Sequence, residues 1–160
     1  MKVFIGPYPE GDEVRKVEIE IHKYDSWNAG HTIAMIAVPI LKQLQVTKHG
    51  SPYTDDADVP ENLRSTSAKP KENEWDTDEF HHDRWEYILS EMIWALEQLV
   101  ESKEDDFFHW DKTQPAEEGS IGDMLGLGIC TIDREGLDAY NARIKRGTTL
   151  FGKYLKSCWD

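Results

Sequence analysis

Apolar residues recur at helical spacing in three long segments of the chain. The first runs roughly from Trp27 to Val46, the second from Asp76 to Glu101 and the third from Arg134 to Cys158. In each segment, apolar residues three and four positions apart predict a helix that buries one face. We therefore expect these side chains to be buried: Ile36, Ile40, Leu44, Trp85, Ile88, Met92, Leu96, Ile144, Phe151 and Tyr154.

The beginning of the chain has a different period. Met1 to Ile5 is a short apolar run that ends at Gly-Pro, and the residues from Val14 to Tyr24 alternate between apolar and polar. Val17, Ile19 and Ile21 share one side of that second run, which is the pattern of a half-buried strand. The two runs predict an antiparallel hairpin.

Several residues signal where the helices end or bend. Pro39 lies inside the first helical segment and should kink it, because proline removes a backbone hydrogen bond. Gly50 is a candidate for the left-handed residue that closes this helix. Asp76 and Glu79 resemble a capping box at the start of the second helix, and Asp133 should cap the third.

The stretches between the helices are long and lack periodicity. They run from about Ser51 to Trp75 and from Ser102 to Asp133. The sequence therefore predicts one α+β domain spanning residues 1–160. An N-terminal β-hairpin is followed by three long packed helices with two long irregular loops.

Charge and composition narrow the classes of function. The formal net charge is −13, which disfavours direct binding to nucleic acid or to anionic membranes, although it permits mimicry of a polyanion. No apolar run is long enough to span a membrane. Cys130 and Cys158 lack metal-ligand spacing, so free thiols in a cytosolic protein are expected.

The second helix carries a polar row beside its apolar stripe. Arg84, Tyr87, Glu91 and Trp94 lie close to one side of this predicted helix. An arginine can hold a phosphate or carboxylate, a glutamate can accept from a donor edge, and the rings can stack on a planar ligand. The competing interpretation is a structural ion pair, either between Arg84 and Glu91 or with partners from another helix or subunit.

Further candidates for ligand binding lie near helix ends. Trp27 and His31 share a face at the start of the first helix, where free backbone N–H groups favour anions. Lys48 and His49 follow the same helix and precede a glycine, and Arg143 lies in a basic run of the third helix. Packing or capping roles are the alternative for each of them.

A metal site is the remaining chemical possibility. Asp78, His82 and Glu86 recur every four residues and would share one helical face, which could supply two or three ligands. A solvated acidic face is the alternative, and the spacing differs from HExxH. No motif for a catalytic nucleophile is present, so no catalytic residue and no cofactor is predicted.

Three patterns resemble a family of small, uncharacterised proteins encoded by tailed bacteriophages. They are YDSWNAGHTIAMIAVPILKQLQVTKHGSPYTDDADVPENLR, FHHDRWEYILSEMIWALEQL and YNARIKRGTTLFGKYLKSCWD, and the resemblance covers Lys23 to Asp160. It carries over no catalytic residues. It implies an accessory protein in the cytoplasm of an infected bacterium, a setting in which such proteins block host factors or sequester nucleotide-derived immune signals.

Three functional hypotheses follow. The first is a non-enzymatic binder of a small phosphate-bearing, nucleotide-like ligand. The second is an acidic inhibitor of a host protein that mimics a polyanion, and the third is a metal-dependent hydrolase using the face of Asp78, His82 and Glu86. Apolar residues on more than one side of the helices, notably Met35, Val38 and Trp94, additionally predict a homo-oligomer.

Overall fold

The structure is a computed structural model that describes residues 1–11 and 13–159. It confirms the predicted α+β fold with an N-terminal hairpin. Three long helices and one short helix form most of the regular structure. They are α1 (Ala29–Thr47), α2 (His81–Glu101), α3 (Ile121–Met124) and α4 (Arg134–Tyr154).

The strands form two separate antiparallel hairpins. Strands β1 (Lys2–Ile5) and β2 (Val17–Glu20) make the predicted N-terminal hairpin. Strands β3 (Phe108–Asp111) and β4 (Ile129–Ile132) pair inside the region that was expected to be irregular, and that expectation was wrong. Gly128, at φ +77°, immediately precedes β4 and adopts a conformation that favours glycine.

Helix α2 is the central element, because α1 packs against one side of it and α4 against another. Its side chains Trp85, Ile88, Leu89 and Met92 are fully buried. The core is completed by residues from both neighbours, including Ala34 and Leu41 of α1, and by Val59 from the long loop before α2. α2 therefore contributes the largest part of the hydrophobic stabilisation.

The predicted core is largely confirmed on α2 and is wrong at one position of α1. Five of the expected side chains are buried: Trp85, Ile88, Met92, Leu96 and Tyr154. Four others are partly buried: Ile36, Leu44, Ile144 and Phe151. Ile40 is 56% exposed, because α1 turns Ala34 and Leu41 towards α2 instead.

The helix ends also differ from the predictions. α2 begins at His81, not near Asp76, and Phe80 occupies the cap position without a capping side chain. α1 ends at Thr47, and its C-cap residue Lys48 has φ −56° and ψ 137°, so Gly50 does not close it with a left-handed residue. Pro39 does lie inside α1, and the Asp133 carboxylate does cap α4 by accepting from the Gly136 N–H.

The loop between α1 and α2 is held in place by polar contacts with α4. It contains three short 3-10 turns, at Asp56–Asp58, Glu61–Leu63 and Ser65–Ser67. The Tyr154 hydroxyl donates to Asp58 over 2.6 Å and accepts from the backbone N–H of Asp55 over 2.9 Å. Burial, chiefly, raises the pKa of Tyr154, so this hydroxyl remains a donor at neutral pH.

Candidate functional site

Two arginines from α4 meet a row of side chains on α2. We call Tyr87, Glu91, Trp94, Arg143 and Arg146 the arginine–aromatic cluster. The Arg143 guanidinium donates to both oxygens of the Glu91 carboxylate, over 2.7 Å from Nη2 and 3.3 Å from Nε. Arg146 Nη1 lies 3.6 Å from the same carboxylate. One buried carboxylate thus serves two cations.

Each arginine also lies against an aromatic ring. The guanidinium carbon of Arg143 is 3.8 Å from the centroid of the Trp94 ring, a cation–π distance. Arg146 donates to the Tyr87 hydroxyl over 2.6 Å and to the backbone carbonyl of Asp58 over 2.8 Å. These contacts fix the planes and directions of both guanidinium groups.

The close approach of α4 to α2 depends on Gly147. A Cβ at this position would lie 2.4 Å from the Cβ of Ala95 and 2.5 Å from the carbonyl oxygen of Glu91. Any larger side chain would therefore push the helices apart. Gly147 follows Arg146 directly, so the glycine contact places the basic turn of α4 over the Glu91 turn of α2.

The cluster has an excess of positive charge at a half-exposed position. The Arg143 and Arg146 side chains are 47% and 41% exposed, whereas Glu91 is only 8% exposed. The hydrogen bond with Glu91, chiefly, raises the pKa of Arg143. Residues 134–156 contain six Lys or Arg and two Asp or Glu, so α4 is locally basic in an acidic protein. An anion on this surface meets the donors that the carboxylate leaves unused.

Arg84 does not belong to this cluster, although the sequence places it in the same row. Its Nη2 donates to Asp78 over 2.7 Å and its Nη1 donates to the carbonyl of Leu63 over 3.0 Å. Arg84 is buried and holds the loop before α2. The hypothesis of an Arg84–Glu91 ion pair is wrong, because Glu91 takes its partners from α4.

The candidates on α1 lie at its two ends and do not join the cluster. Trp27 is 82% exposed before the helix, and its ring meets only the edge of Tyr24 among the ring contacts in the described residues. The Lys48 ammonium bonds to Glu86 over 2.6 Å, and His49 follows it on the surface. His31 bonds through Nδ1 to the carbonyl of Leu99 over 3.1 Å.

His31 also lines a cavity of about 340 Å³. The cavity lies between the start of α1, the end of α2 and α4, where Gln98 and Tyr140 contribute polar atoms. The Tyr140 hydroxyl donates to the Gln98 side chain over 3.3 Å. His31, Gln98 and Tyr140 thus each have a hydrogen-bond partner within the protein.

The three candidate metal ligands do not converge. Asp78 precedes α2 and therefore does not share its face with the other two. Asp78 bonds to Arg84, His82 bonds through Nδ1 to the Ser51 hydroxyl over 3.0 Å, and Glu86 pairs with Lys48. In the described part of the chain, no three His, Cys, Asp or Glu side chains form a group that could hold a metal ion.

The structure thus brings together Tyr87, Glu91, Trp94 and Arg143 of the predicted site residues, and it leaves the others apart. Arg146 is absent from the predicted set. Its spacing of three from Arg143 is a signal for a shared helical face, but the sequence does not show that this face meets α2.

Comparison of the chain with protein-family models, with curated proteins and with solved structures gives no significant match. The resemblance to a bacteriophage family therefore stays a prediction. Among the described residues, no helix is both long enough and apolar enough to cross a membrane.

Proposed function

We propose that the protein is a non-enzymatic binder of a small phosphate-bearing, nucleotide-like ligand, with the arginine–aromatic cluster as its site. The observation that carries this proposal is that Arg143 and Arg146 share one buried carboxylate. One positive charge is left over beside two aromatic rings. Guanidinium groups bind phosphate oxygens through paired N–H donors, and aromatic faces stack on nucleobases.

The resemblance to phage proteins supplies the setting of this proposal. A phage accessory protein in the cytoplasm of an infected bacterium gains from sequestering a nucleotide-derived signal of the host immune system. Sequestration requires tight binding without chemistry, and it requires no cofactor. The ligand should consequently be recovered unchanged when the complex is denatured by heat, whereas an altered ligand would favour the hydrolase hypothesis.

Calorimetry with a panel of cyclic and linear nucleotides tests the proposal. A hydrogen bond to a charged group contributes about 1.5–3 kcal/mol, so Arg143→Ala should weaken binding by about tenfold or more. Lys145→Ala is the matched control, because Lys145 is an exposed cation on the same helix but outside the cluster. It should retain nearly the affinity of the wild type.

Arg143 also neutralises Glu91, so each variant needs a check of its fold. Thermal melting followed by circular dichroism shows whether Arg143→Ala still unfolds cooperatively. Arg143→Lys keeps the charge but not the paired donors, and it should therefore bind more weakly than the wild type. If no nucleotide gives a heat of binding with well-folded wild-type protein, the proposal is wrong.

A second candidate is an acidic inhibitor that binds a host protein as a polyanion mimic. The observation in its favour is that residues 51–160 contain 25 Asp or Glu and 12 Lys or Arg, which is the whole formal charge of −13. Immobilised protein should then capture a basic host protein, and duplex DNA should displace it in a salt-dependent manner. Captured protein that DNA cannot displace would contradict the mimicry.

We also propose that the protein is a homo-oligomer. Of the three residues that suggested this, Val38 packs partly on the core and Trp94 lies beneath Arg143, while Met35 remains 40% exposed. Additional apolar residues of α1 and of the first hairpin are exposed. At micromolar concentration, light scattering should give a mass that is at least twice the chain mass of 18.5 kDa. A monomer mass throughout that range would overturn this proposal.

A further inference from the structure

The first hairpin exposes a continuous apolar side. In the antiparallel register, Val3 lies opposite Ile19 and Ile5 lies opposite Val17, so these four side chains share one side of the sheet. We call them the arm face. Ile5, Val17 and Ile19 are 46%, 52% and 59% exposed. The sequence predicts this strand side to be half-buried, but the single chain does not cover it.

Among the described residues, polar contacts at the base of the hairpin join it to the rest of the fold. The amino group of Met1 forms an ion pair with Asp25 over 2.8 Å, and the Thr32 hydroxyl of α1 donates to the Asp25 carbonyl over 2.7 Å. In the part of the chain that the structure describes, neither strand packs substantially against a long helix. An isolated two-stranded hairpin is at best marginally stable in water. This arm therefore needs a surface to pack on.

Helix α1 offers such a surface. Ile33, Ile36 and Ile40 are spaced by three and four residues and share one side of the helix, which we call the outer face. Ile33 and Ile40 are each more than half exposed, because Ala34 and Leu41 take the positions against α2. The outer face thus remains apolar and uncovered.

The distribution of charge indicates what covers these two surfaces. Residues 1–50, which carry both of them, contain six Lys or Arg and six Asp or Glu and are formally neutral. All of the net charge of −13 lies in residues 51–160. A second copy of this acidic chain is repelled by the charged part but meets no net repulsion at the neutral part. A strongly charged partner would gain no net electrostatic attraction at these neutral residues.

We propose that two copies of the protein exchange arms, so that the arm face of each copy covers the outer face of α1 in the other. This arrangement names the surface of the homo-oligomer proposed above and rests on that proposal. Two-fold symmetry buries both apolar surfaces twice, and it closes the assembly as a dimer. Burial of apolar area is the driving force.

Light scattering on charged variants tests the exchange. Ile19→Asp on the arm face and Ile40→Asp on the outer face should each convert the dimer to a monomer, since either charge would be buried without a partner. Val46→Asp is the matched control, because Val46 is an 83% exposed residue on another side of α1. That variant should remain a dimer, and all three should keep the melting behaviour of a folded chain.

Cross-linking tests which surfaces meet. Two variants are made in a background that carries Cys130→Ser and Cys158→Ser. One variant adds Ile19→Cys and the other adds Ile40→Cys, and the two are mixed in the presence of oxidised glutathione. A disulfide-linked dimer should form faster in the mixture than in either chain alone. A monomeric wild type would overturn both the oligomer and the exchange. An oligomer that survives both aspartate variants, or equal cross-linking in all samples, would overturn the exchange alone.

Discussion

Replacing Gly147 with alanine should destabilise the protein, although alanine is the better helix former. In an exposed helix the exchange would gain about 1 kcal/mol. Here the new Cβ would lie 2.4 Å from the Cβ of Ala95 and 2.5 Å from the carbonyl of Glu91, so α2 and α4 must separate by about 1 Å. Overpacking of this kind costs about 1–3 kcal/mol, and the backbone carbonyl cannot move aside. The separation would also lengthen the 2.7 Å contact between Arg143 and Glu91.

Thermal unfolding measures this effect, and Gly152 provides the control on the same helix. Apart from Gly152 itself, its chain neighbours and the adjacent backbone of α4, no described heavy atom lies within 4 Å of the position that a Cβ on Gly152 would take. Gly152→Ala should consequently stabilise the protein by up to about 1 kcal/mol. The gain in helix propensity offsets part of the overpacking cost at Gly147, which leaves a net loss of up to about 2 kcal/mol. For a chain of this size, 1 kcal/mol shifts Tm by about 2–4 °C, so Gly147→Ala should lower Tm by up to about 8 °C. If both variants shift Tm in the same direction and by the same amount, the close packing inferred at Gly147 is refuted.

Three further predictions follow from the core and its polar contacts. Glu91→Gln should lower the free energy of unfolding by about 1–3 kcal/mol in urea, because it weakens the buried acceptor of two arginines; unchanged stability would contradict this. The pKa of Asp78 is held below its usual value, chiefly by the hydrogen bond from Arg84. Its contribution to stability is therefore complete above the usual carboxyl pKa and is lost as pH falls through the lowered one. Between about pH 5 and pH 2, melting temperatures should fall more steeply for the wild type than for Asp78→Asn, and parallel curves would exclude the linkage. Met92→Asp should unfold the protein, since a fully buried position would receive an unpaired charge; a soluble variant that melts cooperatively would count against the packing of α2.

The sequence predicts the buried side of α2 correctly and that of α1 less well, because the two helices differ in the number of their apolar sides. α2 has one apolar stripe, so its buried side is unambiguous. α1 is apolar on two neighbouring sides, one centred on Ala34 and Leu41 and the other on Ile33 and Ile40. Periodicity shows that both sides are apolar, but it does not show which one faces the core. The larger side chains of Ile33 and Ile40 led to the prediction that their side is buried. In the structure, the side with the smaller Ala34 packs closely against α2.

The second hairpin escaped prediction because its strands are short and lie far apart in the sequence. β3 consists of Phe108, His109, Trp110 and Asp111, which alternate between apolar and polar over only four residues, and 17 residues separate it from β4. Short strands joined by a long connection depend on tertiary contacts. Gly122 supplies one of them, since a Cβ there would lie 2.1 Å from the carbonyl of Gly128.

The candidate site was predictable on each helix but not across them. Tyr87, Glu91 and Trp94 recur on one side of α2, and Arg143 lies in a basic run, so each half is visible in the sequence. Their meeting depends on the depth to which α4 packs on α2, and that depth is set by Gly147. Arg84 shows the limit of the same argument. It shares the row on α2, yet it lies one turn closer to the helix start and reaches the loop.

The proposed ligand site and the proposed dimer interface lie on different parts of the molecule, and this makes them separable by experiment. The arginine–aromatic cluster is built by α2 and α4 of a single chain, within the residues that carry all of the net negative charge. The arm face and the outer face lie within the neutral first 50 residues. A monomeric arm variant should therefore keep the complete cluster, so the two proposals stand or fall independently. Lys153 of α4 pairs with Asp55 and Asp58 of the loop, whereas Arg143 and Arg146 share the single carboxylate of Glu91. The arginine pair therefore keeps one positive charge in excess next to the rings of Tyr87 and Trp94.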